Sequence, residues 1–311
     1  MDNSQGMMSY NQEPVSWHVF NNSSIADFVQ IESDANLDKR TVESFGNEWL
    51  KFSLFEPGEI ERMGKEYFDL LGATSVDENS YALDLGCGTG RWSYYLSPHV
   101  KFIEAIDPSD SVFSAIRLTG EKKNIRVTRA SVDNIPFADN TFDFVFSLGV
   151  LHHIPDTEAA LKKIIQKIRP GGHFLVYLYY NLDNRGKIYK TLFKLSNPIR
   201  RIISSMPRVL KQFLSEIIAF AVYLPFVFAA RICRALFPRK NFYKRIPLSY
   251  YHDKSFTVIR NDALDRFGTP LEKRFSKSVI EKMLQNAGFM NIIFSERAPF
   301  WHCIAQKPLR P

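Results

Sequence analysis

The stretch that decides the fold reads Ala82-Leu83-Asp84-Leu85-Gly86-Cys87-Gly88-Thr89-Gly90. Its apolar first half predicts a buried strand, and alternate glycines follow directly. Glycine lets a ligand approach bare backbone, and a helix that opens after such a turn offers unpaired N–H groups. The stretch therefore predicts a binding site for polar or anionic groups at the end of a strand.

Short apolar runs alternate with helical stretches on the carboxyl side of this motif. Five runs predict buried strands: Tyr81 to Leu85, Phe102 to Ile106, Ile125 to Thr128, Phe142 to Leu148, and Gly172 to Tyr179. Strands separated by helices of this length are typical of βα units. The sequence thus predicts an α/β fold with a Rossmann-like, doubly wound and mostly parallel sheet.

The chain divides into five predicted segments. They are a loose tail over 1–20, N-terminal lid helices over 21–79, a ligand-binding core over 80–180, a large helical insertion after strand five over 181–275, and a terminal helix with closing strands over 276–311. Ser276 is expected to cap the terminal helix, which is followed by strands at 291–295 and 300–306.

The net charge of +7 is concentrated in the insertion. Between Arg185 and Arg245 there are 14 Lys and Arg but one acid, Glu216, while the rest of the chain holds 26 basic and 32 acidic residues. A localised basic block implies an anionic partner for that block.

An apolar run, Ile217 to Ala230, lies inside the basic block and contains Pro225. It is shorter than the ~20 residues that span a bilayer. Because the run is short and Pro225 interrupts it, we expect two helices that lie in the headgroup plane of a membrane or cover a hydrophobic ligand channel. An ordinary helical cap on the core is the alternative.

Composition and cysteine content limit the class of protein. Apolar residues make up 45% and charged residues 23%, which excludes a largely disordered or polytopic membrane chain. Three cysteines without a CxxC pair predict neither a disulfide framework nor a metal site. The polar first residues lack a secretory pattern. The expected location is the cytoplasm, with peripheral contact at the inner membrane face.

A dinucleotide site is an alternative interpretation of the glycine turn. Its fingerprint has glycine at the first, third and sixth positions. Counting from Gly86 the sixth residue is Arg91, and counting from Gly88 it is Ser93. The pattern thus argues against a dinucleotide without excluding it.

Several motifs in order resemble the class I S-adenosylmethionine-dependent methyltransferases, in the branch of small-molecule and quinone-type enzymes. They are the glycine loop with Asp84, Asp107 at the end of the second strand, Ile135 to Val145, Val150 to Asp156, and Ile168 to Gly172. The resemblance covers residues 80–180 and, more loosely, 276–307. It implies S-adenosylmethionine as cofactor.

The resemblance also implies a set of cofactor-binding residues. They are Asp84, Gly86, Cys87, Gly88, Gly90, Asp107, Ser131, Val132, Asp133 and Leu148. In such a site Asp84 contacts the amino acid end of the cofactor, Asp107 binds the ribose hydroxyls, and Cys87 is packing and not a nucleophile. The family's adenine-facing Asp is Ser131 here, so either Asp133 or the backbone of Val132 is expected to replace it.

Two histidines are candidates for a catalytic base. His153 follows the fourth strand, where ligands meet a doubly wound sheet, and His252 lies in the insertion. For both, a structural role is the alternative.

The predicted function is methyl transfer from S-adenosylmethionine, most simply O-methylation of an amphipathic, lipid-linked or glycan small molecule. An RNA methyltransferase is an alternative that the basic block would suit, although no RNA-binding module is recognisable. A non-catalytic cofactor-binding protein is the other.

Overall fold

The computed structural model describes residues 7–21, 23–30, 33–51, 55–184 and 186–309. The chain forms two compact units. The first comprises Met1–Asp183 and Leu271–Pro311, and the second comprises Asn184–Pro270. The second unit corresponds to the insertion predicted at 181–275. Arg185, where the basic block begins, lies outside the described residues.

One sheet organises the first unit. Its strands, within the described residues, are β1 (Ser16–Phe20), β2 (Ser23–Asp27), β3 (Tyr81–Leu85), β4 (Phe102–Asp107), β5 (Ile125–Arg129), β6 (Phe142–Leu148), β7 (Ile168–Tyr177), β8 (Met290–Phe294) and β9 (Cys303–Gln306). They lie in the order β1-β2-β5-β4-β3-β6-β7-β9-β8.

The central five strands are parallel, and the sheet is antiparallel only at its two sides, in the β1–β2 pair and around β9. Strand order reverses at β3, because β4 and β5 lie on one side of it and β6 and β7 on the other. A doubly wound sheet binds ligands at the carboxyl ends of its strands beside such a reversal. The predicted Rossmann-like fold is confirmed.

Helices pack on this sheet. Those of the first unit are α1 (Lys39–Lys51), α2 (Pro57–Tyr67), α3 (Arg91–Leu96), α4 (Ser111–Thr119), α5 (Thr157–Lys167) and α10 (Lys277–Asn286). The Oγ atom of Ser276 accepts a hydrogen bond from the Val279 N–H at 3.2 Å, so Ser276 caps α10 as its sequence predicts. Every residue of β3 and β4 is buried, which makes these strands the centre of the core.

The N-terminal region differs from the prediction of a loose tail followed only by lid helices. β1 and β2 pair with each other, and Asp27 of β2 pairs with Arg129 of β5, so this hairpin extends the sheet. Tyr10 packs edge-on against Phe28 at 4.8 Å between ring centroids. Thus the described part of 1–20 is ordered on the core, and part of 21–79 is strand.

The second unit is helical. It contains α6 (Lys187–Ser204), α7 (Arg208–Ile218), a π-helical turn (Ala219–Tyr223), α8 (Leu224–Leu236) and α9 (Phe256–Gly268). Buried side chains from α6, the π turn, α8 and α9 form its core: Ile203, Ala219, Tyr223, Val227, Ile259, Ala263 and Phe267.

The segments from α7 to α8 form one continuous helix, Arg208–Leu236, of 29 residues. By length and composition alone this helix could cross a membrane, and it is the one helix in the described part of the chain that passes this test. The expectation that Pro225 interrupts the apolar run was therefore wrong. Pro225 lies in the first turn of α8, directly after the π turn, where the shifted hydrogen-bonding pattern accommodates its missing N–H.

Candidate active site

The glycine turn follows β3 at the carboxyl edge of the sheet. Gly86, Gly88 and Gly90 all have positive φ, at 81°, 53° and 78°, a region that glycine enters without strain. A Cβ on Gly86 would lie 2.5 Å from the Val150 side chain, and one on Gly88 would lie 3.3 Å from the Trp49 indole nitrogen. A side chain at either position would therefore collide with residues that already pack against the turn.

Gly90 and Cys87 serve packing. A Cβ on Gly90 would lie 3.2 Å from the Ala115 backbone, so this glycine allows the turn to pack against α4. Cys87 is buried in an apolar cluster with Val112 and Val127, and burial raises the pKa of its thiol well above the usual value. The thiol is not poised as a nucleophile.

Asp84 lies at the end of β3 and is fully buried. Its Oδ2 accepts a hydrogen bond from the Ser93 hydroxyl at 2.7 Å, while its buried Oδ1 has no hydrogen-bond partner among the described residues. Burial, reinforced by the Asp107 carboxylate, raises the pKa of Asp84 to about 7. A buried carboxylate oxygen without a donor is suited to a cationic ligand group.

Asp107 ends β4 and is tied to the glycine turn. Its Oδ2 accepts from the Gly88 N–H at 3.0 Å, and its Oδ1 accepts from the Ser109 N–H at 2.9 Å and the Ser109 hydroxyl at 2.6 Å. A carboxylate accepts about four hydrogen bonds, so capacity remains for a ligand hydroxyl.

The segment after β5 is organised by residues from the N-terminal region. The Ser131 hydroxyl donates to Oδ2 of Asp34 at 2.7 Å, and both residues are buried. Asp133 accepts from the Asn36 N–H at 2.6 Å and from Lys163 at 2.9 Å. Its carboxylate is therefore already engaged by other groups.

Asp34 is the acid that the sequence motifs missed. It lies 97 positions from Ser131, and no local pattern marks it. The one signal in the sequence was that Ser131 stands where the family has an acid. A carboxylate at this position of the site would therefore have to come from another part of the chain. Val132, between Ser131 and Asp133, has its side chain in the main core, and Leu148 ends β6.

His153 lies in a short 3₁₀ turn after β6 and is buried. Its Nδ1 is 2.7 Å from the carbonyl oxygen of Leu271. A carbonyl can only accept, so Nδ1 carries the proton and Nε2 of the neutral ring is the basic nitrogen. Phe45 of α1 meets the imidazole edge-on at 4.8 Å. The turn thus holds one tautomer in a fixed orientation.

His152, the preceding residue, is fully buried and accepts a hydrogen bond from the Tyr179 N–H at its Nδ1 at 3.3 Å. Burial, with the nearby His153 and Arg274, lowers the pKa of His152 well below the usual value. It is a neutral, stacked core residue.

His252 belongs to the second unit. Its Nε2 lies 2.5 Å from Nη1 of Arg234, which can only donate, and its Nδ1 lies 2.9 Å from the Ser249 carbonyl oxygen. Both nitrogens are occupied, and the lone pair a base would use points at a cation. The structure does not bring His252 and His153 into one unit.

Helix α1 covers the glycine turn. The Trp49 indole lies over Gly88, the Trp49 carbonyl accepts from the Ser114 hydroxyl at 3.0 Å, and Arg91 stacks on the indole at 4.9 Å. Phe52, which follows this helix, lies outside the described residues.

Residues 83–176 match the family model described as a methyltransferase domain. This part of the chain is a class I, S-adenosylmethionine-dependent methyltransferase domain. Demethylmenaquinone methyltransferase from Geobacillus sp. is 32% identical over 116 residues, covering 33% of this chain and 47% of that protein. The tRNA U34 carboxymethyltransferase of Nautilia profundicola is 34% identical over 102 residues, covering 32% and 34%.

The chain spans about half the length, or less, of the curated relatives it matches. The solved structure of human N-acetylserotonin methyltransferase in complex with SAM has a TM-score of 0.48 and 16% identity, covering 85% of this chain and 56% of that one. We therefore assign the fold of the methyltransferase domain from the strand order of its own sheet.

Proposed function

We propose that this protein transfers a methyl group from S-adenosylmethionine to a hydroxyl oxygen of an amphipathic, lipid-linked or glycan acceptor. The observation that carries the proposal is the fixed tautomer of His153. A hydroxyl must lose its proton as it is methylated, and a neutral imidazole whose Nε2 is unprotonated can take that proton.

The first unit fits the cofactor at three points. The free Oδ1 of Asp84 suits the ammonium of the amino acid end, the remaining capacity of Asp107 suits the ribose hydroxyls, and the Asp34 carboxylate at Ser131 suits the amino group of adenine. When bound, the cofactor supplies an activated methyl group that already carries its leaving group. The protein's own part is to hold the acceptor, exclude water and remove a proton.

The second unit supports an amphipathic acceptor. It exposes many large apolar side chains, among them Leu195, Phe213 and Phe228, next to basic ones. The relatives are named for a quinone and for a tRNA, so the methyltransferase domain by itself does not determine the acceptor.

Labelled cofactor distinguishes the acceptor classes. The protein is incubated with methyl-labelled S-adenosylmethionine and, separately, with lipid, RNA and soluble-metabolite extracts. We expect label in the lipid or glycan fraction, stable to mild acid as an ether is. Label in RNA would establish the RNA methyltransferase instead, and cofactor binding without transfer to any fraction would indicate a non-catalytic protein.

The role of His153 is tested on the acceptor so identified. His153→Ala is expected to lower kcat by ~10², because a positioned base contributes about that factor, while the Kd for the cofactor stays unchanged. His153→Gln, which keeps a donor toward Leu271, should be equally slow. If the variant loses cofactor affinity but keeps its kcat, His153 has a structural role and is not the base.

A further inference from the structure

The long helix Arg208–Leu236 has two different faces. Small or aromatic side chains of one face are buried at every fourth position, in Ser215, Ala219, Tyr223 and Val227. In an ideal α-helix such a row would rotate by ~40° at each step. The π turn takes up this rotation, so the same face stays packed along the helix.

The opposite face is apolar and exposed. Its side chains are Val209, Phe213, Ile217, Phe220, Phe228, Ile232 and Leu236, and those of Val209 and Leu236 are 79% and 68% exposed. Helix α6 adds Leu192, Leu195, Ile199 and Ile202, also exposed. Phe213, Phe220 and Phe228 are each about half exposed. Together they expose on the order of 400 Å² of apolar surface, which is near the upper size of apolar patches on monomeric soluble proteins.

Charged residues lie at the ends of this apolar face. Arg208 lies at one end of the helix, and the exposed Arg231, Arg234, Arg239 and Lys240 lie at or beyond the other. Arg200 is excluded from this exposed set, because it is buried and its Nη1 donates to the Thr269 carbonyl at 2.9 Å. An apolar face with cations at its borders matches the interface of an anionic bilayer, where acyl chains meet negative headgroups.

The packed face argues against a membrane crossing. Glu216 pairs with Arg260 of α9 through two contacts of 2.6 Å, and the Tyr223 hydroxyl donates to Asp262 at 2.8 Å. A spanning helix would carry these polar groups, and the rest of α9, into hydrocarbon, which is strongly unfavourable. The helix can therefore offer lipid only its exposed face.

We propose that the 184–270 unit docks on an anionic phospholipid bilayer, with the long helix lying in the plane of the interface and its apolar face inserted. The basic residues at the ends of the helix bind headgroups, and α9 stays on the aqueous side. This proposal concerns binding and does not depend on which acceptor is methylated.

Vesicle flotation tests the docking. The full-length protein is mixed, at low and at high salt, with vesicles of phosphatidylcholine alone or of phosphatidylcholine with about 30% phosphatidylglycerol. The second composition imitates an anionic cytoplasmic leaflet. We expect flotation with the anionic vesicles at low salt and release at high salt, because exposed ion pairing is screened. If the protein does not float with anionic vesicles, the proposal is wrong. It is equally wrong if the protein shifts RNA in a gel, or forms a dimer, instead of binding vesicles.

Two variants and a matched control assign the surface. Phe213→Ser, Phe220→Ser and Phe228→Ser together should abolish flotation, and Arg239→Gln with Lys240→Gln should weaken it and reduce its salt dependence. The control, Val279→Ser with Ile293→Ser, changes exposed apolar residues of the first unit and should float as the unmodified protein does. Each variant is first shown to keep its melting temperature and its cofactor affinity. Equal flotation of all variants would contradict the assignment.

Fluorescent labels determine the orientation. Cys233→Ala leaves Cys87 and Cys303, both buried, as the remaining cysteines, and single cysteines are then placed at positions 209, 220 and 236 and labelled with NBD. We expect position 220 to show a blue shift and quenching by brominated lipid. Dithionite added outside should reduce the labels at 209 and 236 alike. Protection of one end would mean that the helix spans the bilayer, and the in-plane proposal would be wrong.

Discussion

At the scale of single residues, the proposed contact of the buried Asp84 with the cofactor predicts that binding depends on pH. Its raised pKa, about 7, means that the unliganded carboxyl is largely protonated in mild acid. The neutral form cannot pair with the ammonium of the cofactor, so binding must then release a proton. The proposal thus predicts that this one side chain sets the lower pH limit of cofactor binding.

We predict that affinity for S-adenosylmethionine falls as the pH decreases through 7, approaching roughly tenfold per pH unit well below it. Asp84→Asn should bind weakly and without this pH dependence. Isothermal titration from pH 5.5 to 8 measures both. A parallel, equally steep profile for Asp84→Asn would show that another group is responsible.

The stability of the unliganded protein should depend on pH with the opposite sign. Because burial raises the folded-state pKa of Asp84 above its ordinary value of 3.8, protonation favours the folded state. The contribution is fully present below about pH 4 and is lost as the pH rises to about 7. Comparing melting temperatures of the unmodified and Asp84→Asn proteins across this range isolates it.

Some of these residues could be predicted from the sequence and one could not. Asp84 is the last residue but one of its apolar run and Asp107 directly follows another, so the strand pattern itself places them near the carboxyl edge of the sheet. Asp34 reaches Ser131 only through the tertiary fold. Asp133 was expected to replace the family's adenine-facing Asp, but it is paired with Lys163. This partner lies 30 residues away, and periodicity does not reveal it.

At the scale of elements, a short strap of residues 33–38 joins two parts of the methyltransferase domain. Asp34 contacts Ser131, while Asn36 contacts Asp133 and accepts from the Asp156 N–H at 2.7 Å. The strap thus holds the loop after β5 against the start of α5. Asp34 and Asn36 are expected to have different roles.

We predict that Asp34→Ala weakens cofactor affinity about tenfold, since a hydrogen bond to a charged group is lost, with a small change in melting temperature. Asn36→Ala is the matched control in the same strap. It removes the side-chain hydrogen bonds to Asp133 and from the Asp156 N–H, keeps the backbone bond to Asp133, and should mainly lower the melting temperature. If Asp34→Ala binds the cofactor normally, the adenine contact lies elsewhere.

The long helix shows why element boundaries were harder to predict than element types. Pro225 inside an apolar run indicates a break, because proline lacks an N–H and clashes with the preceding turn. Here the π turn before it removes that conflict, and tertiary packing of Tyr223 and Val227 keeps the helix continuous. Sequence periodicity alone contains no signal for such a turn.

At the scale of the whole molecule, the chain leaves and re-enters the methyltransferase domain at one place. The Asn181 N–H donates to the Phe275 carbonyl at 3.0 Å, and the Phe275 N–H donates to the Tyr179 carbonyl at 2.9 Å. The two ends of the insertion are therefore joined by the backbone of the first unit itself. Sequence composition located the insertion, but the β1–β2 hairpin that extends the sheet was missed because its strands are short and partly polar.

We predict that replacing residues 184–270 by a short Gly-Ser linker leaves a folded domain. A short closure at this point costs little entropy, and Asp183 and Leu271, with their contacts, are retained. The shortened protein should bind S-adenosylmethionine with the affinity of the full chain and should not float with vesicles. A shortened protein that is folded but still floats would locate the membrane contact in the first unit.

The position of β9 between β7 and β8 delays completion of the sheet during synthesis of the chain. Gln306 donates to the Gly171 carbonyl across 135 residues, so the sheet closes only when the end of the chain has been made. At ~5–20 residues per second, a ribosome needs on the order of ten seconds to pass from residue 184 to β9. The apolar helix is synthesised within that interval, while the sheet is still open at one side. A nascent chain would then meet a chaperone or a lipid surface before its catalytic half is complete.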